Sequence, residues 1–179
     1  MTRFTVLIAA PTAHSDVRTA AVQAADTIAA LSTRTTADGA GNAAHQTIDL
    51  AELGPALLAA DTGRDVADAL EAARTSDVLL VASPQVHGSY TGLLKVFLDR
   101  LPELGLGHTV AVPMAVVEDL RNGRNIEDDL RVLLSELGAW VAEPGLLLAR
   151  SELAEPSGVI EAWAEVAAPS LRQALAISV

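Results

Sequence analysis

A chain of 179 residues, half of them apolar but only 3% aromatic, has room for one domain whose core must be built from Ala, Val and Leu. A net charge of −11 with no local basic patch repels phosphate backbones and argues against nucleic acid as a partner. The absence of cysteine excludes disulfides, thiolate catalysis and iron–sulfur clusters, and no apolar run reaches the length of a membrane span.

In chain order, residues 4–10 (FTVLIAA) are a continuous β-rich run and predict a buried first strand. Residues 11–16 form a loop, and residues 17–31 place apolar side chains at helical spacing, with Ser15 or Asp16 as N-cap. A strand, a short polar loop and a helix start together gather unpaired backbone N–H groups, a geometry that suits a phosphate. Ser15 therefore has two possible roles, helix cap or phosphate ligand. Neither a Gly-rich run ending in Lys-Ser/Thr nor a G-x-G-x-x-G is present, so a P-loop and the dinucleotide fingerprint are both excluded.

Residues 32–44 (STRTTADGAGNAA) read as a turn, and residues 45–50 (HQTIDL) as a short second strand. A connection over 51–63 is expected to tuck Leu57 and Leu58 against the sheet, and residues 65–74 form a helix over one sheet face. Residues 77–82 (DVLLVA) predict a third buried strand, which Ser83-Pro84 should end. Beyond a loop with Gly88 and Ser89, Thr91 can cap a helix carrying Leu93, Leu94, Phe97, Leu98 and Leu101 on one side.

Residues 108–117 (HTVAVPMAVV) predict a fourth strand in which Pro113 should sit at a bulge or the strand end. Residues 119–125 contain Asn122-Gly123 and read as a turn before a helix over 126–137. Residues 140–148 give a fifth strand interrupted by Pro144-Gly145, and residues 151–156 a polar link. Ser157 then caps a last helix with an expected kink near Pro169. Alternating strands and helices on short links predict a single α/β domain, a doubly wound five-stranded parallel sheet of order 2-1-3-4-5. Ligands of such sheets bind outside the carboxyl ends of the strands.

His14, His45, His87 and His108 show no metal-ligand spacing, and Gly-x-Ser-x-Gly is absent, so neither a metal centre nor a nucleophile elbow is supported. His14 and His87 fall in loops expected at the same sheet edge, where His87 can face a flat ring or stand in solvent. Tyr90 can line the site, join an interface or pack against the following helix.

Pro84, Ser89, Gly92, Leu94, Lys95 and Asp99, at this spacing, resemble the second flavin loop of the NADPH-dependent FMN reductases, a family with a flavodoxin-like fold. Lys95 is the only lysine of the chain, and Asp49-Leu50 resembles the family's second strand end. In the first loop Ser15 matches the family's phosphate-wrapping Ser-x-Thr, whereas Ala9 and Ala10 replace Gly-Ser, Thr12 stands for an Arg and Val17 for the Thr. Val86 replaces a Tyr in the second loop. In the third, Val116, Val117 and Glu118 replace Thr-Gly-Gly.

The resemblance implies FMN as cofactor and NAD(P)H as co-substrate, with electrons passed on to a flavin, quinone or other acceptor. It places Thr12, Ser15, Asp16 and Val17 on the phosphate. It sets Ser83, Pro84, Gln85, Val86, His87 and Gly88 along the ring, with the 84–88 amides on the pyrimidine edge, and Val117 and Glu118 in the third loop. No catalytic side chain is implied. A cytoplasmic homodimer or homotetramer acting on small-molecule flavin and nicotinamide is expected, without nucleic acid or membrane. The departures in all three loops leave a second reading open, a flavodoxin-like domain that has lost tight FMN binding and serves as a partner-binding or accessory protein.

Overall fold

The computed structural model describes residues 2–33 and 45–177, so the turn expected at 32–44 lies outside the described residues except for Ser32 and Thr33, which belong to the first helix. The strands are β1 (Phe4–Ile8), β2 (His45–Asp49), β3 (Val78–Pro84), β4 (Val110–Val117), β5 (Trp140–Val141) and β6 (Leu146–Ala149). The helices are α1 (Asp16–Thr33), α2 (Leu50–Leu53), α3 (Arg64–Arg74), α4 (Gly92–Leu98), α5 (Gly123–Glu136) and α6 (Ser157–Ile177). All strand pairings are parallel, in the order β2-β1-β3-β4-β5, with β6 also on β4. This is the expected doubly wound, flavodoxin-like α/β sheet.

Alternation along the central strands divides the core in two. Val6, Ile8, Leu80, Val112 and Met114 face α1 and α6, whose Ala20, Ala24, Ile160 and Trp163 cover them. Leu7, Leu79, Val81, Ala111 and Ala115 face α3, α4 and α5 through Val66, Leu94, Phe97, Ile126 and Leu130. With both sheet faces covered, β1, β3 and β4 are buried throughout, as their unbroken apolar runs predict.

The fifth strand is split. β5 pairs Trp140 with Val110, β6 pairs Leu146 with Met114, and Pro144-Gly145 lies between them. This split accommodates Pro113, which lies in the middle of β4 and not at a bulge or end. Ala111 accepts from Ala142, while Val116 accepts from Gln85, so odd-numbered β4 residues face the β5–β6 edge. The donor that proline lacks would point into the gap between the two short strands, and no ladder bond is lost.

Ser83 and Pro84 are the last two residues of β3, opposite Ala115 and Val116, so the strand stops at Pro84 as expected but takes in both residues. Pro84 is tolerated because its nitrogen faces the β1 side, where pairing has ended at Ile8 with Ala82. The 51–63 connection contains α2 and a 3₁₀ turn, Gly54–Leu58, in which Leu57 is buried but Leu58 is 77% exposed. Pro169 lies inside α6, which continues to Ile177. Among the described residues no helix is long and apolar enough to cross a membrane.

Asn122-Gly123 is not a simple turn either. Asp119 caps a 3₁₀ turn, Leu120–Asn122, by accepting from the Arg121 amide, and α5 starts directly at Gly123. Gly123 is buried, and a Cβ there would stand 2.7 Å from Leu147 Cδ1 and 3.1 Å from its Cγ. Gly123→Ala is therefore expected to cost about 1–3 kcal/mol by overpacking, although alanine is the better helix former. Urea unfolding of Gly123→Ala, Leu147→Ala and the double variant checks this: the double variant should lose less than the sum of the singles.

Candidate functional site

The carboxyl ends of β1, β3 and β4 bring three loops to one edge of the sheet, over residues 9–15, 85–91 and 118–122. The first is tied down at both ends. Ala9 donates its N–H to the Ala82 carbonyl, and its own carbonyl accepts from Thr91 Oγ1 at 2.7 Å. His14, with φ of 54°, donates its backbone N–H to Asp49 Oδ2 at 3.1 Å, which pins the loop to the end of β2. The buried Asp49 also receives Arg18 Nη1 at 3.2 Å, and the same nitrogen donates to Glu52 at 2.8 Å.

Ser15 ends this loop. Its carbonyl accepts from Arg18 and Thr19, the first bonds of α1, but its side chain caps nothing. The Oγ is buried and has no hydrogen-bond partner. Among the described residues the backbone N–H groups of Ser15, Asp16 and Val17 also find no acceptor. A buried hydroxyl and three open donors thus converge at the positive end of an 18-residue helix. The Val17 side chain belongs to the core beneath β1, so only its amide can reach a ligand, while Thr12 and Asp16 are exposed.

In the second loop the structure corrects several expectations. Ser83 is fully buried; its Oγ accepts from the Thr91 N–H at 3.1 Å and donates to the Pro84 carbonyl, so it braces the loop from below. Pro84 is buried in β3 and has no N–H to offer. The Gln85 amide is committed to Val116 and the Val86 amide to Ser89. Val86 and Ser89 bond reciprocally around His87 and Gly88, whose φ values of 51° and 91° match the two central positions of a type I′ turn. Of the five residues 84–88, only His87 and Gly88 keep amides without an acceptor among the described residues. Gln85 Nε2 spans to the third loop, donating to the Gly88 carbonyl at 3.3 Å and the Asn122 carbonyl at 3.2 Å.

In the third loop Val117 is buried, its side chain in the core beneath α5. Glu118 is 75% exposed and ion-paired with Arg150, beyond the end of β6. Neither side chain offers a group to a ligand in this arrangement. The Asp119 carboxyl lies below its ordinary range because the Arg121 backbone N–H, and then its side chain, bond the charged form.

Outside the three loops, Ser89 Oγ donates to Asp129, and Tyr90 is half-buried against the α4–α5 side of the core. Lys95 pairs with Asp99 on the surface of α4, and that contact raises the lysine above its usual pKa. Among the described residues no group of three metal-ligating side chains occurs. Sequence reading recognised Thr91 as a cap, and its Oγ1 does accept from Leu94, but its longer-range bond to Ala9 left no local signal. The links of Gln85 to Asn122 and of Arg18 to Asp49 and Glu52 were missed for the same reason.

The sequence model of one family, described as NADPH-dependent FMN reductase, matches residues 2–152. FMN reductase (NADPH) of Pseudomonas putida is 31% identical over 83 residues, which is 46% of this chain and only 42% of that protein's length. Among solved structures, an NADH:FMN oxidoreductase in its apo form superposes with a TM-score of 0.75 at 25% identity, covering 99% of this chain and 88% of the other. An oxidoreductase from Corynebacterium diphtheriae gives 0.79 at 26% identity over 98% and 97%. The sheet order, the three loops at one edge and a match that runs through all of them lead to one assignment: the chain belongs to the NADPH-dependent FMN reductase family.

Proposed function

We propose that this chain works as an NAD(P)H-dependent flavin reductase, moving reducing equivalents from a nicotinamide to FMN and on to a second flavin, a quinone or another acceptor. The observation that carries the reading is the buried, unpartnered Oγ of Ser15 at the start of α1. A buried polar atom without a partner is costly, and a phosphate oxygen brought to the start of α1 would supply one. The residues present therefore fit the group that the family implies.

FMN, when bound, supplies the two-electron chemistry. The chain's own contribution is to bind and orient. Ser15 Oγ and the amides of Ser15, Asp16 and Val17, which have no partner among the described residues, would hold the phosphate. The His87 and Gly88 amides, free of backbone acceptors among the described residues, would serve the pyrimidine edge, where donors stabilise negative charge on the reduced ring. Gln85, braced between the second and third loops, holds that turn in place. No side chain need act as acid or base. The side chains of Ser83, Pro84 and Val117 are buried in the scaffold, and Glu118 pairs with Arg150.

The alternative, an accessory domain without flavin, is less favoured, since the family match over residues 2–152 takes in all three loops. The reading extends to a cytoplasmic homodimer or homotetramer; Val132 on α5 and Val166 on α6, 60% and 65% exposed, are apolar residues that assembly would cover. The visible spectrum of the purified protein and quenching of FMN fluorescence test the proposal. Saturable binding, followed by NAD(P)H oxidation that depends on added flavin, is expected. A colourless protein that leaves FMN fluorescence untouched at high concentration overturns it.

A further inference from the structure

The phosphate end of this site carries an acid for which the reductase reading has no use. Asp16 is the first residue of α1, exposed, and its carboxylate makes no hydrogen bond or ion pair among the described residues. The nearest base in sequence, Arg18, does not neutralise it. Its guanidinium is 29% exposed and held by Asp49 at 3.2 Å and Glu52 at 2.8 Å, and Asp49 is further fixed by the His14 amide. His14 Nε2 lies 3.4 Å from the same Glu52 carboxylate.

Asp49 and Glu52 therefore take up the one guanidinium in the first turn of α1, and Asp16, the first residue of that helix, is left without a cation among the described residues, in a chain of net charge −11. A carboxylate in the first helical turn already complements the positive end of the helix dipole. A phosphate would draw on that same field, and the two anions repel each other. The open amides and Ser15 Oγ still attract a phosphate; Asp16 opposes them.

We propose that Asp16 is a specificity determinant that offsets the loop's attraction for the flavin 5′-phosphate, so that the site takes riboflavin, which lacks the phosphate, about as well as FMN. The proposal rests on the flavin-reductase reading above. It is tested by titrating FMN and riboflavin, each by fluorescence quenching, into the wild-type protein, Asp16→Asn and a control, Glu165→Gln, on the exposed side of α6.

The wild type is expected to bind the two flavins within about threefold of each other, and Asp16→Asn to tighten FMN roughly tenfold while leaving riboflavin within about twofold. Glu165→Gln should move neither, which separates the local carboxylate from net charge. A wild type that binds FMN about a hundredfold tighter than riboflavin overturns the proposal and leaves the flavin-reductase reading standing. An Asp16→Asn variant that shifts both flavins equally, or neither, does the same. Saturable binding of neither flavin by the wild type overturns both.

Discussion

Ser15→Ala is expected to weaken FMN binding by about 10- to 100-fold without lowering the stability of the flavin-free protein, a combination that few buried substitutions produce. The Ser15 Oγ is buried and bonds to nothing among the described residues. Removing it breaks no protein hydrogen bond and relieves a desolvated hydroxyl, which costs about 1–3 kcal/mol when unsatisfied. With FMN present, the same atom would bond a charged phosphate oxygen, an interaction of about 1.5–3 kcal/mol. Fluorescence titration and thermal unfolding of the same two proteins decide the matter. A Ser15→Ala protein that melts several degrees lower yet binds FMN unchanged would make the hydroxyl structural. Riboflavin, lacking the phosphate, should bind this variant as it binds the wild type.

The unpartnered hydroxyl also shows how far the sequence could be read. The strand order was legible because β1, β3 and β4 are unbroken apolar runs that only a sheet covered on both faces can bury. Ser15 and the Gly88 loop were legible because a strand, a polar loop and a helix start have one common geometry. What failed depended on register. That β3 takes in Ser83 and Pro84 before it stops is decided by where β1 ceases to pair, at Ile8, and residue 84 carries no trace of that. Pro113 was misplaced because the gap that tolerates it is made by Pro144-Gly145 on another strand.

The same limit applies to charge. Composition gave the acidity of the chain and pattern gave Asp16, but the fate of Arg18 depended on Asp49 and Glu52, more than 30 residues away. Val117 and Ser83 looked like loop residues available to a ligand. Val117 is buried because it closes β4, at the bound the apolar run predicts, and Ser83 because β3 runs two residues past its apolar core. A family pattern locates the loops; only pairing decides which atoms in them remain free.

Thr91→Val is expected to destabilise the protein by about 2–4 kcal/mol and to loosen two loops together. The side chain is 4% exposed and nearly isosteric with valine, so packing is conserved and the loss is one of hydrogen bonding. Thr91 Oγ1 donates to the Ala9 carbonyl at 2.7 Å and accepts from the Leu94 N–H at the start of α4. Substitution strands a buried carbonyl, worth about 1–3 kcal/mol, and removes a helix cap, worth about 1 kcal/mol. Thr91→Ser keeps both bonds and should stay within about 1 kcal/mol of the wild type. Urea unfolding compares the three. Because the Ala9 carbonyl lies at the base of the first loop, amide exchange over residues 10–17 should quicken in Thr91→Val and not in Thr91→Ser. Equal stability of the two variants would mean that the Thr91–Ala9 bond does not hold the first loop to the second.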